Sequence, residues 1–290
     1  PEMAGRLFVR DAGGQLVAEV HKQAAQPIEL GLPPGQYRVT LDDQRHLSET
    51  NVDLRAGQQT MLSPRQLVAL VPMRHRSERV PGKNTRQVAG RPLYAYILET
   101  LSACPQIDRI VVDTDSPTVR EGVTSLFPDV LLLDRPEHLR AEDIPMNAVI
   151  EHDLRQVPAD AYLQTHSTNP LLRAETISSA IETFRADDEH DSLFSVTPMY
   201  VRLWTSDASP LNHDPSTLLR TQDLPPVYME NSCLYLFRRD AFLSRPNRIG
   251  RNPRLFVIGR EESWDVDEEI DLQVVEGLLH TRAAASGGGR

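Results

Sequence analysis

Cysteine, lysine and aromatic residues are scarce in this chain, and long apolar runs are absent. The 290 residues hold two cysteines, Cys104 and Cys233, one in an expected helix and one in an expected strand. Two such thiols do not make a disulfide framework, which predicts a reducing, cytoplasmic setting. No stretch approaches the roughly 18 consecutive apolar residues of a membrane-spanning helix, so no span is expected. The opening PEMAGRLF shows neither the basic nor the apolar region of a secretory leader. Its start at Pro1 rather than Met reads as a processed or excised end. Positive charge is also short: the net charge is −10, which argues against general nucleic-acid binding, because phosphate backbones reward basic surfaces.

Lysine is the most uneven absence. Of 31 Lys and Arg residues only Lys22 and Lys83 are lysine. Arginine is a planar fork, whereas lysine is a compact point charge that reaches a single phosphate oxygen. A lysine kept among so many arginines marks a place where a point charge is needed, and Lys83 is the candidate; Lys22 reads as chance survival.

What remains is ordinary for a globular protein, with 40% apolar and 25% charged residues, enough for one large domain or two modest ones. The acidity is uneven: residues 1–66 hold seven Lys/Arg and eight Asp/Glu, leaving 24 against 33 in residues 67–290. Inside that acidic part, residues 73–84 carry Arg74, Arg76, Arg79 and Lys83 against Glu78 alone. A basic island in an acidic domain reads either as an anion site or as an exposed loop that happens to be basic.

The rhythm changes near residue 66. Before it, Leu16, Ala18 and Val20, and again Tyr37, Val39 and Leu41, alternate with polar neighbours, the period of half-buried antiparallel strands. Turn residues fall at Gly13-Gly14, Leu32-Pro33-Pro34-Gly35 and Ala56-Gly57. This predicts a small all-β module over residues 1–65. His21 and His46 stand alone in it and read as surface residues. After residue 66, apolar runs at 67–71, 110–112, 130–133, 162–163 and 193–196 alternate with helical patterns. Leu93, Tyr94, Ile97, Leu98 and Leu101 share one helical face, as do Ile177, Ala180, Ile181 and Phe184. Strands apolar throughout, alternating with amphipathic helices, predict an α/β domain over 66–282: a mostly parallel sheet with helices on both faces. Residues 283–290 read as a flexible tail. In such sheets ligands sit beyond the carboxyl ends of the strands, so chemistry-bearing residues are sought after each run.

After the first run comes PMRHRSERVPGKN (72–84). Its cations can offset phosphate charge and its backbone amides can donate to phosphate oxygens; it lacks the spacing of a Walker loop. After the second run stand Thr114 and Asp115, with Asp115 also placed to cap the next helix. After the fourth come Gln164 and His166; His166 reads as a general base or as a structural histidine. Further on lies LRTQDLPPVYMENSCLY (219–235). Last is SWDVDEEIDL (263–272), where Asp265 and Asp267, two apart on an extended segment, project to one side and are placed for a single Mg²⁺. Asp267 is equally placed to cap the final helix.

In that order these segments resemble the acylneuraminate cytidylyltransferases. The loop is similar to the family's R-x-G-S-K-G-I/L-P-x-K-N at Arg74, Ser77, Pro81, Lys83 and Asn84, and departs from it at His75-Arg76 and Glu78-Arg79. Its Ser-x-Arg-x-Pro-Gly-Lys part is similar to the enzymes that activate 3-deoxy-manno-octulosonate. Thr114 and Asp115 match the family's nucleoside segment, where Asp113 replaces Ser. Gln164, Pro170, Leu171 and Arg173 resemble L-Q-P-T-S-P-L-R with stretched spacing. Arg220 to Tyr235 resembles R-R-Q-D-L-P-x-x-Y-x-x-N-G-A-I-Y, and Asp265, Val266, Asp267 and Asp271 match V-D-I-D-T/D-x-x-D. The segment LPPGQYRVTL near the start has a short resemblance to transthyretin-like or carboxypeptidase-regulatory-like sandwiches. The resemblance implies a Rossmann-like nucleotidyltransferase that moves CMP from CTP to the anomeric hydroxyl of an acidic ulosonic sugar. It implies Arg74, Lys83 and Asp267 as catalytic residues, with Ser77, Asn84, Thr114 and Asp115 beside the nucleotide. Gln164, Arg220, Tyr228 and Asn231 would meet the sugar, with Arg220 on its carboxylate, and Asp265 and Asp267 would hold Mg²⁺. Relatives are often homodimers, and the proline-rich segment 198–227 reads as an exchanged arm. The alternatives are a related enzyme acting on another acidic sugar such as 3-deoxy-octulosonate, or a non-catalytic carbohydrate- or nucleotide-binding protein.

Overall fold

The computed structural model describes residues 5–23, 28–42, 47–57, 66–77, 79–217 and 219–287; His46, Glu78 and the expected boundary at residue 65 lie outside the described residues. The early alternation produces β1 (Gly5–Asp11), β2 (Leu16–Lys22), β3 (Gly35–Asp42) and β4 (Leu47–Leu54). They form one antiparallel sheet in the order β2-β1-β3-β4. Val9, Tyr37, Val39 and Val52 gather on one face, with Leu30 and Leu32 packed against them. The short resemblance of LPPGQYRVTL implies a sandwich; the described residues make a single antiparallel sheet, with Leu30 and Leu32 packed on its apolar face. Of the expected alternation, Leu16 is exposed, because β2 is an edge strand.

The second domain begins with β5 (Leu67–Leu70), followed by the short pair β6 (Gln87–Val88) and β7 (Arg91–Pro92), then α1 (Leu93–Ser102), β8 (Arg109–Thr114), α2 (Pro117–Leu126) and β9 (Leu131–Asp134). Next come α3 (Met146–Gln156), β10 (Ala161–Thr165), α4 (Ala174–Arg185), β11 (Ser192–Met199), β12 (Val227–Arg238), α5 (Arg239–Ser244), β13 (Pro253–Val257) and α6 (Glu269–Gly287). Seven strands lie in the order β13-β11-β12-β10-β5-β8-β9. All neighbours are parallel except β12, which is antiparallel to both β10 and β11. All four residues of β5 are buried, as a central strand covered on both faces requires. Leu67 and Ala69 face a core shared with α1, α2 and α4; Val68 and Leu70 face one shared with α3 and α5.

Two expectations are corrected. Cys104 follows the end of α1 rather than lying inside it; its amide closes a turn onto Leu101 O at 3.0 Å. The tail expected from residue 283 continues α6 as far as Gly287, because Ala283, Ala284 and Ala285 favour helix. The edge strand β13 and the antiparallel β12 were not anticipated. No helix among the described residues is long and apolar enough to cross a membrane.

The chain runs β5, β8, β9 outward in one direction, then returns to place β10 on the other side of β5. The loops after β5 and β10 therefore diverge, leaving a crevice at the carboxyl ends of the strands. The small sheet lies at the opposite end: Glu49, Thr50 and Asn51 share a hollow with Leu67 and Ala161, the first residues of β5 and β10, and with Arg185 at the end of α4.

Candidate functional site

The crevice is a cleft of about 430 Å³. Its floor is the loop after β5, held by its neighbours at three points. The Met73 amide donates to Asp113 O (2.8 Å) and prolongs the β5–β8 pairing. The His75 amide donates to Asp115 Oδ1 at 2.7 Å. The Asn84 Nδ2 donates to Arg74 O at 2.9 Å, while its Oδ1 accepts from Ser167 Oγ at 2.6 Å. Gly82 turns the loop with φ 65°, a left-handed value that glycine adopts without strain, and a 3-10 turn follows over Lys83–Thr85. Arg74, Arg76, Ser77, Arg79, Lys83 and Asn84 all line the cleft.

Lys83 is the basic residue most firmly placed. Its side chain is 15% exposed, and Nζ donates to Val266 O at 2.8 Å and to Asp267 Oδ1 at 3.3 Å. Arg79 meets the same carboxylate at 2.9 Å. The basic loop and the D-x-D segment thus face each other across the cleft although about 180 residues separate them. Asp267 does not cap α6. The Asp271 carboxylate reaches back to accept from the amides of Asp267 (2.9 Å) and Glu268 (2.8 Å), which frees the Asp267 side chain to face the cations. Asp265 lines the cleft beside it. Its Oδ1 is buried with no hydrogen-bond partner, and burial raises its pKa. An orphaned carboxylate oxygen beside a second carboxylate is an all-oxygen donor set that fits a hard divalent cation such as Mg²⁺.

The opposite wall is built from β10 and the loop after α5. Gln164 is fully buried. Its Oε1 accepts from Arg248 Nη1 at 2.6 Å. Its Nε2 donates to Thr165 O at 2.9 Å and faces His166 Nε2 at 3.1 Å. The amide is fully engaged by protein groups, so Gln164 reaches the cleft through its partners His166 and Arg248, both of which line it. Because Gln164 Nε2 is a donor, His166 Nε2 accepts and the imidazole proton sits on Nδ1. Burial, then the charges of Arg248 and Lys83, lower the His166 pKa to about 3. It is neutral throughout the ordinary pH range, which favours the structural reading over the general base.

Behind the loop lies a buried ion cluster. Arg135, 2% exposed, pairs through Nε with Asp113 Oδ1, and Asp153, on α3, is buried beside them. Burial and the Asp113 charge push the Asp153 carboxyl up to about 9. Arg135 lines the cleft, so Asp113, which stands where the resembled family has Ser, anchors a cleft arginine.

Several expected residues serve elsewhere. Thr114 is buried and accepts from the Ser116 amide at 3.0 Å. Asp115 pins His75, while Ser116 caps α2; both Thr114 and Asp115 support the loop without lining the cleft. Asn231 is buried between β12 and β11, donating to Thr197 Oγ1 at 3.0 Å, and its neighbour Ser232, at φ 57°, lines the cleft in its place. Arg220 is exposed on the segment between β11 and β12 and pairs with Asp223 at 2.7 Å, and Tyr228 is exposed near the start of β12. In this single subunit neither lines the cleft. Arg135 and Arg248 were not anticipated. Arg135 directly follows β9, so the carboxyl-end rule would have found it; Arg248 follows a short helix and carries no such signal.

Comparison with known proteins gives a consistent picture. A family model described as Cytidylyltransferase matches residues 68–280. The chain is 26% identical over 242 residues to the CMP-N,N'-diacetyllegionaminic acid synthase of Legionella pneumophila, covering 76% of this chain and 98% of that protein. It is 23% identical over 216 residues to the N-acylneuraminate cytidylyltransferase of Escherichia coli, covering 72% of this chain and 51% of that protein. Among solved structures, a CMP:2-keto-3-deoxy-manno-octonic acid synthetase complexed with CTP superposes with a TM-score of 0.59 at 17% identity, over 75% of this chain and 99% of that one. At that identity the likeness is one of fold.

Proposed function

The chain belongs to the cytidylyltransferase family, and on that premise we propose that it transfers CMP from CTP to the anomeric hydroxyl of an acidic ulosonic sugar, N-acetylneuraminate or a relative such as a legionaminic acid. The observation that carries this reading is the meeting of Lys83 with Asp267 at the cleft, beside the orphaned oxygen of Asp265. In the reaction the anomeric hydroxyl gives up its proton to solvent as its oxygen attacks the α-phosphorus, a new P–O bond forms and the bond to the β-phosphate oxygen breaks, so pyrophosphate leaves with the electron pair. Such a transfer needs little covalent chemistry from the protein; positioning and charge stabilisation dominate. Lys83 and Arg74 hold the phosphates and the leaving pyrophosphate, and Ser77, Asn84 and the loop amides fix the chain of phosphates between them. Asp265 and Asp267 hold Mg²⁺, which when bound withdraws charge from the phosphate oxygens. His166, Ser232 and Arg248 form the wall across from the phosphates, where the acceptor sugar sits.

A second reading, 3-deoxy-octulosonate as acceptor, is favoured by one feature: Ser77-x-Arg79-x-Pro81-Gly82-Lys83 keeps the loop pattern resembling that group of enzymes. A homodimer is the proposed assembly. Tyr200, Leu203, Trp204, Leu211 and Leu219 are exposed together along the projecting segment, more apolar surface than an isolated arm leaves in water, and a second copy would cover it and bring Arg220 and Tyr228 against protein.

The test is pyrophosphate release with Mg²⁺ and CTP, using N-acetylneuraminate, its 5,7-diamino relatives and 3-deoxy-octulosonate, with ATP, GTP and UTP as controls. Release with CTP and one acidic sugar is expected. No release from folded protein with any pair would overturn the proposal in favour of a binding role.

A further inference from the structure

Resting on that reading, we infer that Arg248 holds the carboxylate of the acidic sugar, and that Gln164 and Tyr235 are the positioning residues that aim it. Among the described residues, the cations lining the cleft are nearly all neutralised within the protein. Lys83 and Arg79 meet Asp267, Arg135 meets Asp113, and Arg74 lies 3.6 Å from Glu142. Arg76 is exposed to water. Arg248 is part-buried and makes no ion pair among the described residues; burial lowers its pKa. Glu230 acts on it only from beyond ion-pair distance; a part-desolvated guanidinium with no direct counter-charge is costly, and an anion supplied by the substrate would relieve it.

Its geometry is prepared for one. The backbone is fixed by the Arg248 amide donating to Asn147 Oδ1 at 3.2 Å and the Gly250 amide donating to Ser192 Oγ at 2.8 Å. The guanidinium lies 3.7 Å from the centroid of the buried Tyr235 ring, an attraction that uses the face of the cation and no N–H. Of its five N–H donors, the one on Nη1 directed to Gln164 is engaged. A carboxylate needs two parallel donors in a fixed plane, which the stacked fork offers and a lysine does not.

Position agrees with chemistry. Lys83, His166 and Arg248 line the same cleft, and His166 lies within the electrostatic reach of both cations. In an ulosonic acid the carboxylate and the attacking hydroxyl share the anomeric carbon. Whatever grips the carboxylate therefore sets where the hydroxyl points. Arg220, the residue that the sequence resemblance favours, is 73% exposed in its side chain and already paired with Asp223.

The experiment compares the wild-type chain with Arg248→Ala, Arg248→Lys and Arg220→Ala, using N-acetylneuraminate and its methyl ester. Arg248→Ala should raise KM for the free acid about 10- to 100-fold, the range for a charged hydrogen bond, with KM for CTP unchanged. The preference for free acid over ester should collapse, and Arg248→Lys should fall between. An unchanged CTP KM reports that the cleft has kept its shape. Retention of the acid-over-ester preference in Arg248→Ala, or its collapse in Arg220→Ala alone, overturns the assignment. Calorimetric binding of the acid and the ester, without turnover, judges Arg248 even if no pyrophosphate is released, so failure of the reaction and failure of this assignment are separate results. There too the free acid should bind wild-type protein more tightly than the ester; equal affinity, or binding of neither, overturns it.

Discussion

Two places in this molecule bring a pair of aspartates to a basic side chain, and they have opposite characters. Asp113 and Asp153 are sealed behind the nucleotide loop with Arg135, each about 1–2% exposed. Three potential ligand atoms, from Asp113, His152 and Asp153, lie within 4.8 Å of one another, yet the guanidinium already supplies the positive charge. Asp113 Oδ2 and Asp153 Oδ1 have no other partner, which a proton shared between the two carboxyls satisfies. Asp265 and Asp267 open onto a cleft instead, and Lys83 and Arg79 both engage one oxygen of Asp267, leaving a bare oxygen on Asp265. The same residue types form a strut where they are closed off and neutralised, and the proposed cation site where the charge is left incomplete. Low dielectric penalises any unpaired group, so what separates structure from function here is whether the partner comes from the chain or from solution.

The contrast can be broken from either side. Arg135→Met removes the guanidinium from the sealed pair and should cost about 3–5 kcal/mol of stability, the usual loss on orphaning a buried charge, read as a lower urea midpoint; an unchanged midpoint would show that the two aspartates manage without it. At the open pair, Lys83→Ala and Asp267→Asn should each lower kcat by about 10²–10³-fold, the scale of removing one preorganised charge. Their melting temperatures should stay near wild type, and CTP binding should remain measurable in Asp267→Asn. Near-normal turnover in either would remove that residue from the proposed machinery.

A smaller effect concerns pH. The Asp153 carboxyl is pushed from 3.8 up to about 9, so between those values the folded chain keeps a proton that the unfolded chain has released. The stability from this group is complete below about pH 4 and is lost as pH rises through 9. Asp153→Asn substitutes an amide hydrogen for that proton, and its melting temperature should fall less than wild type between pH 7 and pH 9. Parallel curves would mean that the sealed pair carries no shared proton. The smallest effect is expected at His166, whose pKa is lowered to about 3. Changing it to Gln should leave the shape of the kcat/KM profile from pH 5 to 8 unaltered. Loss of an acidic limb in that variant would restore the general-base role.

The sequence was most informative where burial is two-sided. The strands β5, β8, β9, β10 and β11 were visible because each contains a short continuous apolar run. By contrast, β12 passes through Glu230, Asn231 and Ser232 before entering the core, and β13 is largely exposed along its length, so neither shows a clean period. At the site, Arg74, Ser77, Lys83 and Asn84 converge because they follow the central strand β5, and Asp265 and Asp267 meet them from the connection between the edge strand β13 and α6. Thr114 and Asp115, expected beside the nucleotide, support the loop after β5 instead, because motif spacing does not distinguish a residue that touches a ligand from one that holds the residue touching it. Arg248 was hidden for a different reason. Its importance depends on the lack of an ion pair among the described residues and on the face of Tyr235, neither of which is local in sequence.

The contact between Lys83 and Asp267 has a consequence for how the protein is made. Synthesis proceeds from the amino end, so the basic loop leaves the ribosome long before its acidic counterpart exists. Until residues 265–267 emerge, the loop has neither the carbonyl of Val266 nor the carboxylate that fixes its lysine, and nothing that could bind the metal. A chain that ends after β12 lacks these partners, so the cleft is complete only once the connection between β13 and α6 is in place.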